Sequence, residues 1–166
     1  MGDTVLADPL VRELLAARLV AVLSTMEPDG SIHAVPMWFA VRNGVIVLAT
    51  GSRSRKVRNL EHDSRATLVL HDSRPGFEVC GVSVQGRTTL VRGAEAAPLV
   101  ELVHRRYVAP EGEALPDAAA FLSSDDVAVL FEPLRALAWD ERASVAAEAL
   151  RASGTALALV PTDPRP

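Results

Sequence analysis

The chain of 166 residues has one cysteine and one lysine, and nothing in it marks a membrane span or an export signal. The single thiol, Cys80, forbids an internal disulfide and fits a reducing compartment. No sequence neighbour would activate it, so it reads as a small core residue. No apolar run approaches the roughly 20 residues of a membrane span. The opening residues, MGDTVLADPLVREL, place acids where a signal peptide needs a basic head and an apolar core. Together these absences point to the cytoplasm and to no membrane partner. The four histidines, His33, His62, His71 and His104, share no metal-ligand spacing and read as structural or surface residues, so no metal site is expected. No internal repeat is visible.

What is present is a globular composition, with 49% apolar and 23% charged residues. The length suits one domain with a full core and is short for two. We place that domain at residues 1–142, with 143–166, alanine-rich and then ending PTDPRP, as a C-terminal helix or a loosely held tail. Net charge is −4 and unevenly spread: through Gly93 there are 11 Arg and Lys against 9 Asp and Glu, and after it 6 against 12. An acidic balance argues against nucleic acid, whose binding proteins present a broad basic face.

The element pattern is mainly β. Asp8 and Pro9 suit the cap and first position of a short helix with Leu10, Val11, Leu14 and Leu15 on one stripe. Strands are expected at residues 19–25, 31–41 and 45–49, joined by the turns EPDG and RNG, which makes them antiparallel. Residues 31–41 are apolar on both faces: Ile32, Ala34, Pro36, Trp38 and Ala40 on one, Val35, Met37, Phe39 and Val41 on the other. A sheet curled into a small barrel with its outside covered explains this better than an open sheet. Further strands are expected at residues 65–71, 79–91 and 126–140. A loop is expected at 72–78, bulges or bends at Gly81 and Gly86, and an interruption at Pro133. A helix begins near Pro98 with Leu99, Leu102, Val103 and Tyr107 on one face, and residues 109–117 read as a loop. Six strands with two or three helices make a small barrel.

One stretch concentrates charge of one sign. Residues 50–65, TGSRSRKVRNLEHDSR, follow an apolar strand, turn at Gly51 and Ser52, and open into a helix with Val57 and Leu60 three apart. Ser52 or Ser54 can cap that helix, leaving its first N–H groups free, and Arg53, Arg55, Lys56 and Arg58 surround the same end. Orphan amides with cations make an anion site. A charge cluster at a helix start is also an ordinary solvated face.

The order of these features resembles one family. The leading helix, the Pro-Asp-Gly turn, Pro36-Met37-Trp38-Phe39, the run Lys56, Arg58, Asn59, Leu60, then Asp63 and Arg65, and the later Gly86-Arg87 are similar to the pyridoxamine 5'-phosphate oxidase-like split-barrel superfamily, closest to its deazaflavin branch. The resemblance implies a six-stranded antiparallel Greek-key split barrel. It further implies a homodimer holding a flavin-type cofactor at the subunit interface. It puts the cofactor phosphate at Lys56 with Arg53 or Arg55, and the ring along Val35, Pro36, Met37 and Trp38, near Thr50, Gly51 and Ser52. Coenzyme F-420 is the expected cofactor and FMN the alternative, with hydride transfer to a small organic molecule as the activity and a non-catalytic cofactor-binding dimer as the contrary case. The cofactor carries the hydride chemistry, so no catalytic side chain is named. True pyridoxamine phosphate oxidases carry a closing Arg-Leu-Ala-Pro-like segment for their substrate; PTDPRP differs, so vitamin B6 salvage is not expected.

Overall fold

The computed structural model describes residues 2–74, 78–113 and 125–154. Seven strands form one antiparallel sheet: β1 (Ala21–Met26), β2 (Ile32–Met37), β3 (Phe39–Arg42), β4 (Val45–Gly51), β5 (Arg65–Arg74), β6 (Glu78–Val91) and β7 (Asp126–Asp140). Their order is β2-β1-β5-β6-β7-β4-β3. β2 and β3 are consecutive in the chain yet stand at opposite edges. Only Trp38 separates them, so the sheet has to roll until its edges meet. The result is the split barrel.

The expected single strand at 31–41 is therefore two, and the strand count is seven rather than six. Up to Met37 the chain pairs with β1, Met37 lying opposite Ala21; from Phe39 it pairs with β4, opposite Leu48. Pro36 cannot donate to a ladder, and at Trp38 the chain leaves one neighbour for the other. The turns follow the sequence. Asn43 (φ 52°) and Gly44 (φ 77°) form a two-residue hairpin with both central residues left-handed, the geometry that Asn-Gly favours.

Among the described residues, six α-helices surround the sheet: α1 (Gly2–Ala7), α2 (Pro9–Ala16), α3 (Arg55–His62), α4 (Ala97–Tyr107), α5 (Pro110–Glu113) and α6 (Val145–Ser153). Asp8 caps α2 as expected, its Oδ1 accepting from the amides of Leu10 at 2.8 Å and Val11 at 3.2 Å, with Pro9 in the first turn. α1, ahead of it, has no counterpart in the sequence reading. Of the tail, α6 is helical and residues 155–166 lie outside the described residues; of the loop at 109–117, residues 110–113 form α5 and 114–117 are likewise outside.

Two cores result. Inside the barrel, Leu23, Phe39, Ile46, Leu48, Leu68, Leu70, Val82 and Phe131 pack with Val11 and Leu14 of α2 and Leu60 of α3. Outside, Ala40, Val47 and Ala128 of β3, β4 and β7 pack under Val100 and Val103 of α4. Each large side chain so buried is worth about 1.5–3 kcal/mol. Elsewhere, among the described residues, part of the outside stays exposed. Across the other strands one register row runs Pro36, Val22, Val69, Ser83, Leu137, and it ends in exposed apolar side chains, Leu137 being 68% and Val22 39% accessible.

Three local expectations change. Of the loop at 72–78, residues 75–77 lie outside the described residues and the rest is strand: β5 continues to Arg74 and β6 begins at Glu78, which oppose one another. Pro133 does not interrupt β7. It pairs with Gly86, while Arg135 pairs with Gln85, so Leu134 is the extra residue of a bulge, and the strand goes on to Asp140. Gly81 makes no bend; it pairs regularly with Trp139, whose indole lies where a side chain would stand, the Cε2 atom 2.6 Å from an added Cβ. At Gly86 an added Cβ meets the Glu132 carbonyl oxygen and the Phe131 ring, 2.6 Å from its Cζ. Because a backbone atom cannot swing aside, Gly86→Ala should destabilise the fold by about 2–3 kcal/mol in denaturant titration. A loss below about 0.5 kcal/mol would show that the bulge yields freely.

Candidate functional site

The site begins where the sheet splits. Trp38, half-buried, lies flat against Tyr107 of α4, ring centroids 4.9 Å apart at 4°. The Tyr107 hydroxyl donates to the Leu19 carbonyl at 2.6 Å and accepts from the Phe39 amide at 3.4 Å. One turn of α4 back, the His104 ring meets the edge of Trp38 at 6.5 Å. Also on α4, Arg106 lies over the Phe39 ring at 4.6 Å and donates to the Leu15 carbonyl at 2.6 Å and to that of Ala17. The last turns of α4 thus hold the point where the chain changes neighbours. Between them and the strands lies a cavity of about 200 Å³ lined by Pro36, Met37, Trp38, Ala49, Val103 and His104. Three of the four residues expected along a ring are here. Val35, the fourth, is part-buried and outside that lining.

The basic stretch adjoins it through β4, because Thr50 follows Ala49. α3 is fixed from below by buried Val57, Asn59 and Leu60, and Asn59 Nδ2 donates to Thr25 Oγ1 of β1 at 3.0 Å. Ser54 takes the cap position and its side chain makes no capping bond. The first intrahelical bond is Arg58 N to Ser54 O at 3.3 Å, so the amides of Arg55, Lys56 and Val57 have no acceptor within α3. Lys56 is not the exposed cation that its place in a first turn suggested. It is half-buried, and its Nζ turns back to donate to Thr50 Oγ1 at 2.9 Å. Burial lowers its pKa, and the nearby Asp126 charge acts the other way.

The remaining expected residues divide. Arg55 is exposed and pairs with Glu27 at 3.4 Å; Arg53 is exposed, its carbonyl accepting from Arg58 at 3.5 Å. Thr50 is buried. Gly51 pairs with Asp126. Ser52 is spent elsewhere: its amide donates to the Asp125 carbonyl at 2.9 Å and its hydroxyl to the Asp125 carboxylate at 2.5 Å. That removes Ser52 from the available donors. The sequence reading missed His104, Asp126 and Tyr107. Val100, Val103, His104 and Tyr107 fall at helical spacing, so the side of α4 that carries Val103 also carries the two polar rings. That signal was present.

A second hollow, of about 410 Å³, lies on the uncovered face among Ser24, Met26, Ile32, Thr67, Arg87 and Arg135. It is larger, yet none of the residues expected to bind a cofactor lines it. Among the described residues no cluster of His, Cys, Asp or Glu could hold a metal ion.

A family profile described as pyridoxamine 5'-phosphate oxidase matches residues 7–140. The chain belongs to that family. Its fold agrees with solved relatives. A conserved hypothetical protein from Mycobacterium tuberculosis is 29% identical, with a TM-score of 0.66 over 80% of this chain and 83% of that one. An F-420 reductase is 25% identical, with a TM-score of 0.59 over 76% of this chain and 94% of that one. The heme storage protein from Vibrio cholerae, 14% identical at a TM-score of 0.62 over 80% of this chain and 93% of that one, shares the fold alone. Comparison with curated protein sequences gives no match.

The Tyr107 hydroxyl is the joint of this site, and Tyr107→Phe isolates it. The stacked ring remains, while the Leu19 carbonyl and Phe39 amide lose their shared partner, so stability should fall by about 1–3 kcal/mol. Thermal unfolding checks this, and an unchanged midpoint would mean that water replaces the hydroxyl without cost.

Proposed function

We propose that the chain is a flavin-type oxidoreductase that moves a hydride between reduced coenzyme F-420 and a small organic acceptor. The observation that carries this is one arrangement. At one end is a half-buried ammonium beside three helix-terminal amides without intrahelical acceptors; at the other is an apolar cavity floored by Pro36, Met37 and Trp38. An anion with a planar apolar body fits that pattern. The chain's residues bind and orient. Lys56 and the amides of Arg55, Lys56 and Val57 fix the anionic end, with Arg53 and Arg55 adding long-range attraction. Trp38, held by Tyr107, fixes the plane of the cavity wall. When bound, the cofactor supplies the hydride chemistry. F-420 is preferred over FMN because an F-420 reductase is 25% identical across 94% of its own length. A carrier without catalysis is the contrary outcome.

The reading includes a homodimer, supported by the uncovered face. The row Pro36, Val22, Val69, Ser83, Leu137 crosses five strands without a charge, and Ile32 beside it is 63% accessible. Pro36 belongs to the row and to the cavity lining, so a second copy seated on the row would border the cavity. Such a two-fold contact is self-complementary. Leu137→Asp should turn a dimer into a monomer in sedimentation, while a wild type that sediments as a monomer with and without cofactor would refute the assembly.

Lys56→Ala tests the anion contact directly. It should weaken cofactor binding by roughly 1.5–3 kcal/mol, about tenfold to a hundredfold. Lys56→Arg should recover part of this, since a planar fork does not replace a compact ammonium. Wild-type affinity should fall with salt and the alanine variant's less so. Titration of F-420 and FMN separately, followed by absorption, decides the cofactor. Binding of FMN alone would hand the role to the runner-up, and equal affinity in Lys56→Ala would place the anion elsewhere.

A further inference from the structure

The reading above uses Lys56 and leaves unexplained the carboxylate next to it. Asp126 opens β7 opposite Gly51 and is 8% accessible, and its Oδ2 lies 3.6 Å from Nε2 of His104, itself 7% accessible. The same carboxylate acts on Lys56 of α3. One buried negative charge thus faces two basic groups carried by two different helices. It adjoins the place where an anion is proposed to bind, and an acid there opposes that anion unless its charge is taken up. A carboxylate shared by two bases holds each less firmly than it would hold one alone.

We propose that Asp126 couples the two ends of the cleft: when an anion draws on the Lys56 ammonium at the start of α3, the carboxylate is left to His104, and the imidazole takes up a proton. The inference rests on the reading of Lys56 as the anion contact and adds a residue to it. His104 becomes the proton-linked wall of the cavity, a cation beside the ring when the anion is seated and neutral when it is not. Binding and protonation then favour each other, so affinity rises as pH falls through the His104 titration. Proton and anion arrive together, which spares the site an uncompensated charge in a buried place.

The surroundings bear on His104 from each packed element. β7 contributes Asp126, and Lys56 of α3 bears on the pair through that carboxylate. Asp125 is engaged with Ser52, at 2.5 Å. On α4, Glu101 and Arg105 pair with each other at the surface at 2.6 Å, and Arg106 is directed to the carbonyls of Leu15 and Ala17. The Tyr107 hydroxyl is bound to Leu19 and its pKa is raised by burial, so it stays neutral across the range in which histidine titrates. Burial lowers the His104 pKa, and Asp126 opposes that shift.

The test follows the His104 ring proton by NMR against pH, in the free protein, with F-420 and with FMN. The His104 midpoint should rise when either cofactor binds. It should also rise in Lys56→Met without any ligand, because Asp126 then serves one base instead of two. Calorimetry in two buffers of different ionisation enthalpy, at about pH 6.5 where histidine titrates, should show proton uptake on binding. That uptake should vanish in His104→Gln and in Asp126→Asn, leaving the exchange of the ligand phosphate itself, which a neighbouring ammonium drives toward release. Bound cofactor with an unmoved His104 midpoint, or equal uptake in wild type and His104→Gln, overturns the coupling alone. An unmoved midpoint in Lys56→Met overturns it without reference to ligand. If neither cofactor binds, the reading of Lys56 falls first and this inference with it.

Discussion

The constraint on which the structure depends is the change of partner at Trp38. A strand that pairs with β1 up to Met37 and with β4 from Phe39 forces the sheet to close, and the closure leaves a gap where the ladder is broken. Broken ladders leave amides without neighbours. The Tyr107 hydroxyl answers one of them by accepting from Phe39, and the Trp38–Tyr107 stack fills the space beside it. α4 is therefore more than a lid on the outer core. By meeting both the split and the carbonyl of Leu19, it ties the start of β1 to the two edges of the rolled sheet. The cavity exists because side chains line the split without filling it.

Charge is arranged around that cavity with little redundancy. The chain's single lysine sits at the first turn of α3, where a cation opposes the helix dipole, and it is half-buried as well. A position that costs stability twice, by dipole and by desolvation, is weakly justified by folding alone. Its neighbours support a binding role: Thr50 accepts from it, Asp126 offsets its burial, and the helix amides beside it have no acceptor within the helix. The wider arginines differ in kind. Arg65 is locked to Asp63, whose pKa falls to about 2 through hydrogen bonds from that guanidinium, and Arg142 bridges Asp140 and Glu13 to pin α2 to the end of β7. These are held in ion pairs, which leaves Lys56 as the candidate for the proposed anion.

Much of this was legible in the sequence, and the failures have physical reasons. Alternation and turn chemistry exposed the hairpin at Asn43-Gly44 and the strands, because those signals are local. The cap at Asp8 was readable for the same reason. The split at Trp38 was not, since both halves are apolar and extended and only tertiary pairing tells them apart. Gly81 and Gly86 look alike in sequence; one makes room for the Trp139 indole and the other for the backbone at a bulge, and the distinction lies on β7, more than forty residues away. Within the candidate site, Pro36, Met37 and Trp38, named from the family resemblance, line the cavity, and Lys56, named from the basic stretch, lies beside it through β4. Ser52 was offered as a cap and for its backbone near the ring; Ser54 takes the cap, and the Ser52 amide and hydroxyl both donate to Asp125. His104 and Asp126 escaped because each is unremarkable alone, and they meet only when α4 packs on β4 and β7.

The account's central claim is that the anionic end of a flavin-type cofactor is seated at the start of α3 with its ring against Trp38. Two hollows compete for that ligand, and backbone amide chemical shifts can tell them apart in one titration with F-420 and FMN. The account predicts that the largest shifts fall on the amides of Arg55, Lys56 and Val57, with the Trp38 indole moving in parallel. Shifts centred instead on Ser24, Thr67 and Arg87 of the uncovered face would contradict it.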